Sequence, residues 1–170
     1  MTTPAATTAH PLATLELTLR QMLGEHRALL AALDAHEAAL RTCKLDRIEK
    51  ACREQDVARQ KIGLTESRRR VIIHQLARQH RTIQPPTLAK LSELYPDRKQ
   101  QLTAIRAELA DLAAQIQRKS SLVARIAQSV LGHVNATLRL VAQAAAGPGG
   151  YTRRGDPPMP SRMGVLNAVA

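Results

Sequence analysis

The residues able to do chemistry are few and scattered along this chain of 170 residues. There are six histidines. His26 and His36 lie ten residues apart, not at the i, i+4 spacing that chelates a metal from one helix face. His74, His80 and His133 are equally dispersed. Cys43 and Cys52 stand nine residues apart without a histidine pair beside them, which does not match a zinc pattern. They read as free thiols in a reducing, cytoplasmic setting. Gly147-Pro148-Gly149-Gly150 with Arg153-Arg154 lacks the Lys-Ser/Thr ending of a phosphate loop, and no strand precedes it. No serine, cysteine or carboxylate falls in a recognisable active-site motif. No enzymatic activity, metal or cofactor is therefore expected.

Charge is the next candidate. The formal net charge is +11, which suits an acidic partner, nucleic acid or an anionic surface. Arg68-Arg69-Arg70, followed by Arg78 and Arg81, is the densest run. Consecutive helical residues point in different directions, so the run reads first as a solvated helix face. No aromatic residues interleave with it to stack bases, and no helix-turn-helix spacing is present. A basic nucleic-acid-binding protein stays as the alternative function, beside a plain coiled-coil scaffold. No apolar stretch approaches about 18 uncharged residues, so no membrane span is expected. Met1–His10 has neither the basic start nor the apolar run of a signal peptide.

The elements that position these residues are helices. The chain has no Trp, no Phe and two Tyr. Its apolar fraction comes from Leu, Ile, Val and Ala, which suits narrow interhelical seams better than a thick aromatic core. Leu12, Leu15, Leu19, Met22, His26, Leu29, Leu33, His36, Leu40 and Cys43 recur at steps of three and four. They predict a helix over 12–42, opened by Pro11 in its first turn. Asp46, with Glu49 three residues on, predicts a capping box for a second helix over 46–82. That helix has a less apolar seam, where Glu66 and Arg69 are candidates to pair across a bundle, and Ala51, Ala58 and Ile72 form a neighbouring stripe. Gln84-Pro85-Pro86 ends it. Thr87 can cap a short helix over 88–94, and Tyr95-Pro96-Asp97 is a second break.

The long third helix, 97–146, dominates the pattern. Leu102, Ile105, Leu109, Leu112, Ile116, Val123, Ile126 and Val130 lead on to Leu140. At 1.5 Å per residue it is about 75 Å long, so an elongated molecule is expected. The expected organisation is a disordered leader over 1–10, a helical domain over 11–146 and a flexible tail over 147–170. The fold class is all-α: an elongated antiparallel three-helix bundle or coiled coil with a long C-terminal helix. The second helix is shorter than the third, so the far end of the third is expected to outrun its neighbours and leave an apolar binding face. Leu122, Ile126, Val130, Val134, Leu138 and Val141 are the candidate contact residues. Tyr151, one of the two tyrosines, sits in the tail as a candidate linear anchor.

In this arrangement the chain resembles the FlgN-type flagellar export chaperones. The resemblance rests on the opening helix "LTLRQMLGEHRALLAALDAHEAAL" and on the turn at Asp46 and Ile48. It continues through "QDVARQKIGLTESRRRVI", with Glu66 and Arg69, and Thr87-Leu88. "LVARIAQSVLGHVNATLRLV" follows, where Leu122, Ser129, Val130 and Val134 match the family's run. A tail with Tyr151, Gly155 and "VLNAVA" completes it. The resemblance covers about 12–170. It implies a cytoplasmic chaperone of flagellar type III secretion. Such a chaperone binds hook-associated filament-junction proteins, prevents their premature assembly and delivers them to the export gate and ATPase. The resemblance also implies that Tyr151 contacts the gate. Whether two copies pair as a homodimer is left open.

Overall fold

The computed structural model describes residues 11–145. Four α-helices follow in order: α1 Pro11–Thr42, α2 Leu45–Gln79, α3 Leu88–Leu94 and α4 Lys99–Ala145. A three-ten turn, Pro96–Arg98, leads into α4. The described residues hold no strand. The leader over 1–10, the tail over 147–170 and Tyr151 lie outside the described residues. The fold is all-α. The chain divides into two compact units, Met1–Ala127 and Gln128–Ala170, and α4 contributes to both.

Within the first unit, side-chain pairs fix the topology. Thr65 Oγ1 donates to Glu25 Oε1 at 2.8 Å, and Gln55 and His36 bond at 2.8 Å. Residue numbers rise on one helix as they fall on the other, so α1 and α2 are antiparallel. Arg98 approaches Glu16 at 3.6 Å, Arg27 bonds Glu108, and Lys119 bonds Asp34 at 2.7 Å and Glu37 at 2.9 Å. Here the numbers rise together, so this part of α4 runs parallel to α1.

Two apolar clusters hold the unit together. One gathers Leu15, Leu19, Ile73, Leu76, Leu91 and Leu102 with their neighbours, and draws in α3. The other gathers Leu29, Leu33, Leu40, Ala58 and Val123. Leu15, Leu19, Leu33, Leu76, Leu91 and Leu102 are fully buried, each burial contributing about 1.5–3 kcal/mol before entropy is counted. With no Trp or Phe in the chain, the interior is built mainly from leucines, isoleucines and alanines. Buried Ala32 and Ala39 on α1 and Ala51 and Ala58 on α2 let those two backbones approach closely.

The helix ends depart from the sequence reading. α2 starts at Leu45, after Lys44, and no side chain caps it. Asp46 sits inside the first turn, where a carboxylate favours the positive end of the helix dipole without bonding as a cap. What ends α1 also sets that start. Cys43 adopts a left-handed conformation, φ 49°, and Cys43 N–H bonds Leu40 O while Lys44 N–H bonds Ala39 O. That is a Schellman motif with cysteine where glycine is usual. The same device closes α2: Arg81 has φ 52°, with Arg81 N–H to Arg78 O and Thr82 N–H to Ala77 O. Thr87 caps α3 by accepting from Lys90 N–H at 3.2 Å.

Candidate functional site

The first unit absorbs most of the residues with chemical capacity into packing. The His26 ring bonds Met22 O at 2.8 Å. His36 bonds Gln55 and lies 3.8 Å from Cys52 Sγ. Partial burial, helped by the Arg59 charge, holds its pKa below the usual imidazole value. His80 bonds the Tyr95 hydroxyl at 2.7 Å, their rings meeting edge to face. No cluster of metal-binding side chains occurs among the described residues, and Cys43 and Cys52 are free thiols.

Glu66 and Arg69 do not pair across the bundle. Arg69 grips Glu66 along α2 with two bonds of 2.7 Å, and Arg70 adds a third at 3.1 Å. At spacings of three and four, these side chains meet on one helix before they can reach another. The Arg69 hydrogen bonds drive the Glu66 pKa down to about 2. Two guanidiniums of the arginine run are thus already matched to a carboxylate. The third, Arg68, points to Gln21 at 3.5 Å.

The six candidate contact residues separate by unit. Leu122 and Ile126 belong to the first. Leu122 is half-buried and borders a cavity of about 350 Å³ with Leu30 and Lys119. Ile126 packs against the cluster around Val123. Val130, Val134, Leu138 and Val141 belong to the second unit. Val130 is half-buried. Val134 is 48% exposed, and Leu138 and Val141 are 60% exposed. Leu131 and Leu140 are exposed beside them.

At 100° per residue, Val130, Val134 and Val141 fall within about 40° of one another, with Leu138 and Leu131 at the edge of the same stripe. The face opposite is polar, with Gln128, Asn135, Arg139 and Gln143, but almost uncharged. Across residues 128–145 the formal charge is carried by Arg139 alone. No described residue of this segment is buried. An exposed helix this apolar and this poor in charge has a surface suited to an apolar partner.

Sequence reasoning missed Glu16. It is a buried carboxylate whose Oε1 has no hydrogen-bond partner, at the end of the unit formed by α1, α3 and the three-ten turn. Its only signal was an acidic residue beside Leu15 in the seam register. No helix among the described residues is long and apolar enough to cross a membrane.

No curated protein and no solved structure matches the chain. The family model described as FlgN protein matches residues 12–158, which takes in all of α2, α3 and α4 and all but the first residue of α1. That span is most of the chain, and the all-α architecture agrees with it. The chain belongs to the FlgN family of flagellar export chaperones.

Proposed function

We propose that this chaperone acts in the cytoplasm, holds hook-associated filament-junction proteins before assembly and hands them to the type III export apparatus. The client is held on α4 between Val130 and Val141. The observation that carries this reading is the exposed run Val134, Leu138 and Val141 on a segment with one formal charge. A client segment that is itself an amphipathic helix would lay its apolar face along this stripe. Ordering the client on binding consumes part of the interaction energy, which keeps the complex reversible and suits release at the export gate. Contact with the gate is assigned to Tyr151, in keeping with the family resemblance.

Hydrogen exchange of the full chain, with and without a hook-associated protein, tests the location. Slowed exchange across residues 128–145 on adding client is the expected result. Protection confined to α1 and α2 would place the client elsewhere.

A further inference from the structure

The last third of α2 carries charge that its surroundings do not answer. Between Glu66 and Glu93 the sequence holds six cations and no carboxylate. Glu66 takes Arg69 and Arg70, and Glu93 takes Lys90. Arg68 reaches Gln21, which bonds Glu25 in turn, so a carboxylate of α1 partly answers it. The Arg78 and Arg81 side chains meet no carboxylate among the described residues. The elements packed against this end do not restore the balance. Glu16 on α1 is buried and turned to Arg98. Asp97, before α4, lies with Leu12 and Glu16 in a hollow on the α1 side.

These cations form a line. Arg70, His74 and Arg78 succeed one another at steps of four, about 6 Å apart along the axis and within about 80° around it, and all three are exposed. Arg81 follows in the turn that closes α2. Val71, 58% exposed, stands about 20° from Arg78 around the helix, and Ile83 beyond Arg81 is fully exposed. A second copy of this chain, with a net charge of +11, would bring cations against cations here. The chain supplies no counter-charge from its ends either. Met1–His10 holds no acidic residue, and beyond residue 145 Asp156 stands against three arginines.

We infer that this face of α2 docks an acidic amphipathic α-helix of a partner protein. Carboxylates at steps of three and four on that helix recur every 4.5–6 Å or so, the interval at which Arg70, Arg78 and Arg81 are offered. An apolar side chain of the partner covers Val71. The chain has no Trp or Phe to stack on bases or to anchor in a bilayer, which favours a protein helix over nucleic acid or an anionic membrane. The site takes no residue from 128–145 and does not depend on the client reading.

The test uses the full chain and two fluorescein-labelled helical peptides of about 21 residues, read by anisotropy at about 50 mM salt, where electrostatic selection is strong. They share one leucine stripe and differ in carrying glutamate or lysine beside it at steps of three and four. The glutamate peptide binds, the lysine peptide does not, and added salt weakens the complex. Arg78→Glu with Arg81→Asn weakens it about tenfold. Arg78 is exposed, and asparagine tolerates the left-handed conformation at Arg81, so the urea midpoint stays level while binding falls. Arg118→Glu with Arg125→Gln makes the same change in net charge on α4, again at arginines that form no ion pair among the described residues, and leaves peptide binding within about twofold. Absence of glutamate-peptide binding, undiminished binding by Arg78→Glu with Arg81→Asn, or an equal loss in the α4 variant would each overturn the site. A DNA duplex or phosphatidylglycerol vesicles binding more tightly than the glutamate peptide, and losing that binding in Arg78→Glu with Arg81→Asn, would overturn the choice of a protein helix.

Discussion

Replacing Val134 and Leu138 together by aspartate isolates the α4 face from the fold that presents it. Complete burial of a valine or leucine is worth about 1.5–3 kcal/mol. These side chains still have 48% and 60% of their surface to bury, so a docked client gains about 1 kcal/mol from each. Losing both removes about 2 kcal/mol, and desolvating the introduced carboxylates adds at least about 1 kcal/mol more. A total near 3 kcal/mol corresponds to about a 100-fold rise in Kd. Isothermal titration of a hook-associated protein into the purified variant reads this directly. Both positions are exposed, so urea unfolding of the free chain should shift by less than about 0.5 kcal/mol. A Kd within about threefold of the unaltered chain, with the fold intact, would refute the placement of the client on this face.

Cys43→Gly and Arg81→Gly each relieve a left-handed conformation that costs a side-chain-bearing residue about 1–2 kcal/mol. Against glycine's greater freedom in the unfolded chain, each should gain about 0.5–1 kcal/mol in urea unfolding, and the two should add because they close different helices. Stability should also fall in two steps on acidification. The folded state holds His36 below its usual 6.5, so its contribution is complete above that value and declines as pH drops through it. Glu66 is held at about 2 against an ordinary 4.5, so its contribution is complete above 4.5 and is lost between there and about 2. The Glu66 ion pair is partly solvated, which reduces its contribution to about 1 kcal/mol. His36→Gln should flatten the first step, and Glu66→Gln should reduce the second, which Glu37, held low by Lys119 and Arg41, shares, in thermal melts taken across pH.

The helices were legible because leucine spacing and proline punctuation act locally. The run Leu12, Leu15, Leu19 announces α1, and Pro85, Pro86 and Pro96 interrupt the chain where α2 has ended and α4 begins. The helix ends were less legible. Cys43 and Arg81 occupy positions where glycine is the usual signal, so a reader of residue types meets no terminator there. Asp46 and Glu49 present the pattern of a capping box, yet the closing turn of α1 carries the chain into α2 at Leu45 first. The direction of the Glu66 and Arg69 pair depends on side-chain reach, which the seam pattern does not encode.

The apolar stripe of α4 was visible as a period. Its division was not, because Ile126 and Val134 look alike in sequence while one packs into a core cluster and the other is exposed. The arginine run of α2 was visible as charge. Which of its members are answered was not, because Arg69 and Arg70 reach Glu66 along the helix while Arg78 meets no carboxylate among the described residues.

The central claim is that this member of the FlgN family is a chaperone for hook-associated proteins. It is tested most directly by mixing the purified full chain with each hook-associated protein and following complex formation and client self-assembly together. The account predicts a stable stoichiometric complex with at least one of them, and suppression of that client's assembly. The chain leaving every hook-associated protein free, and its assembly unaffected, would contradict it.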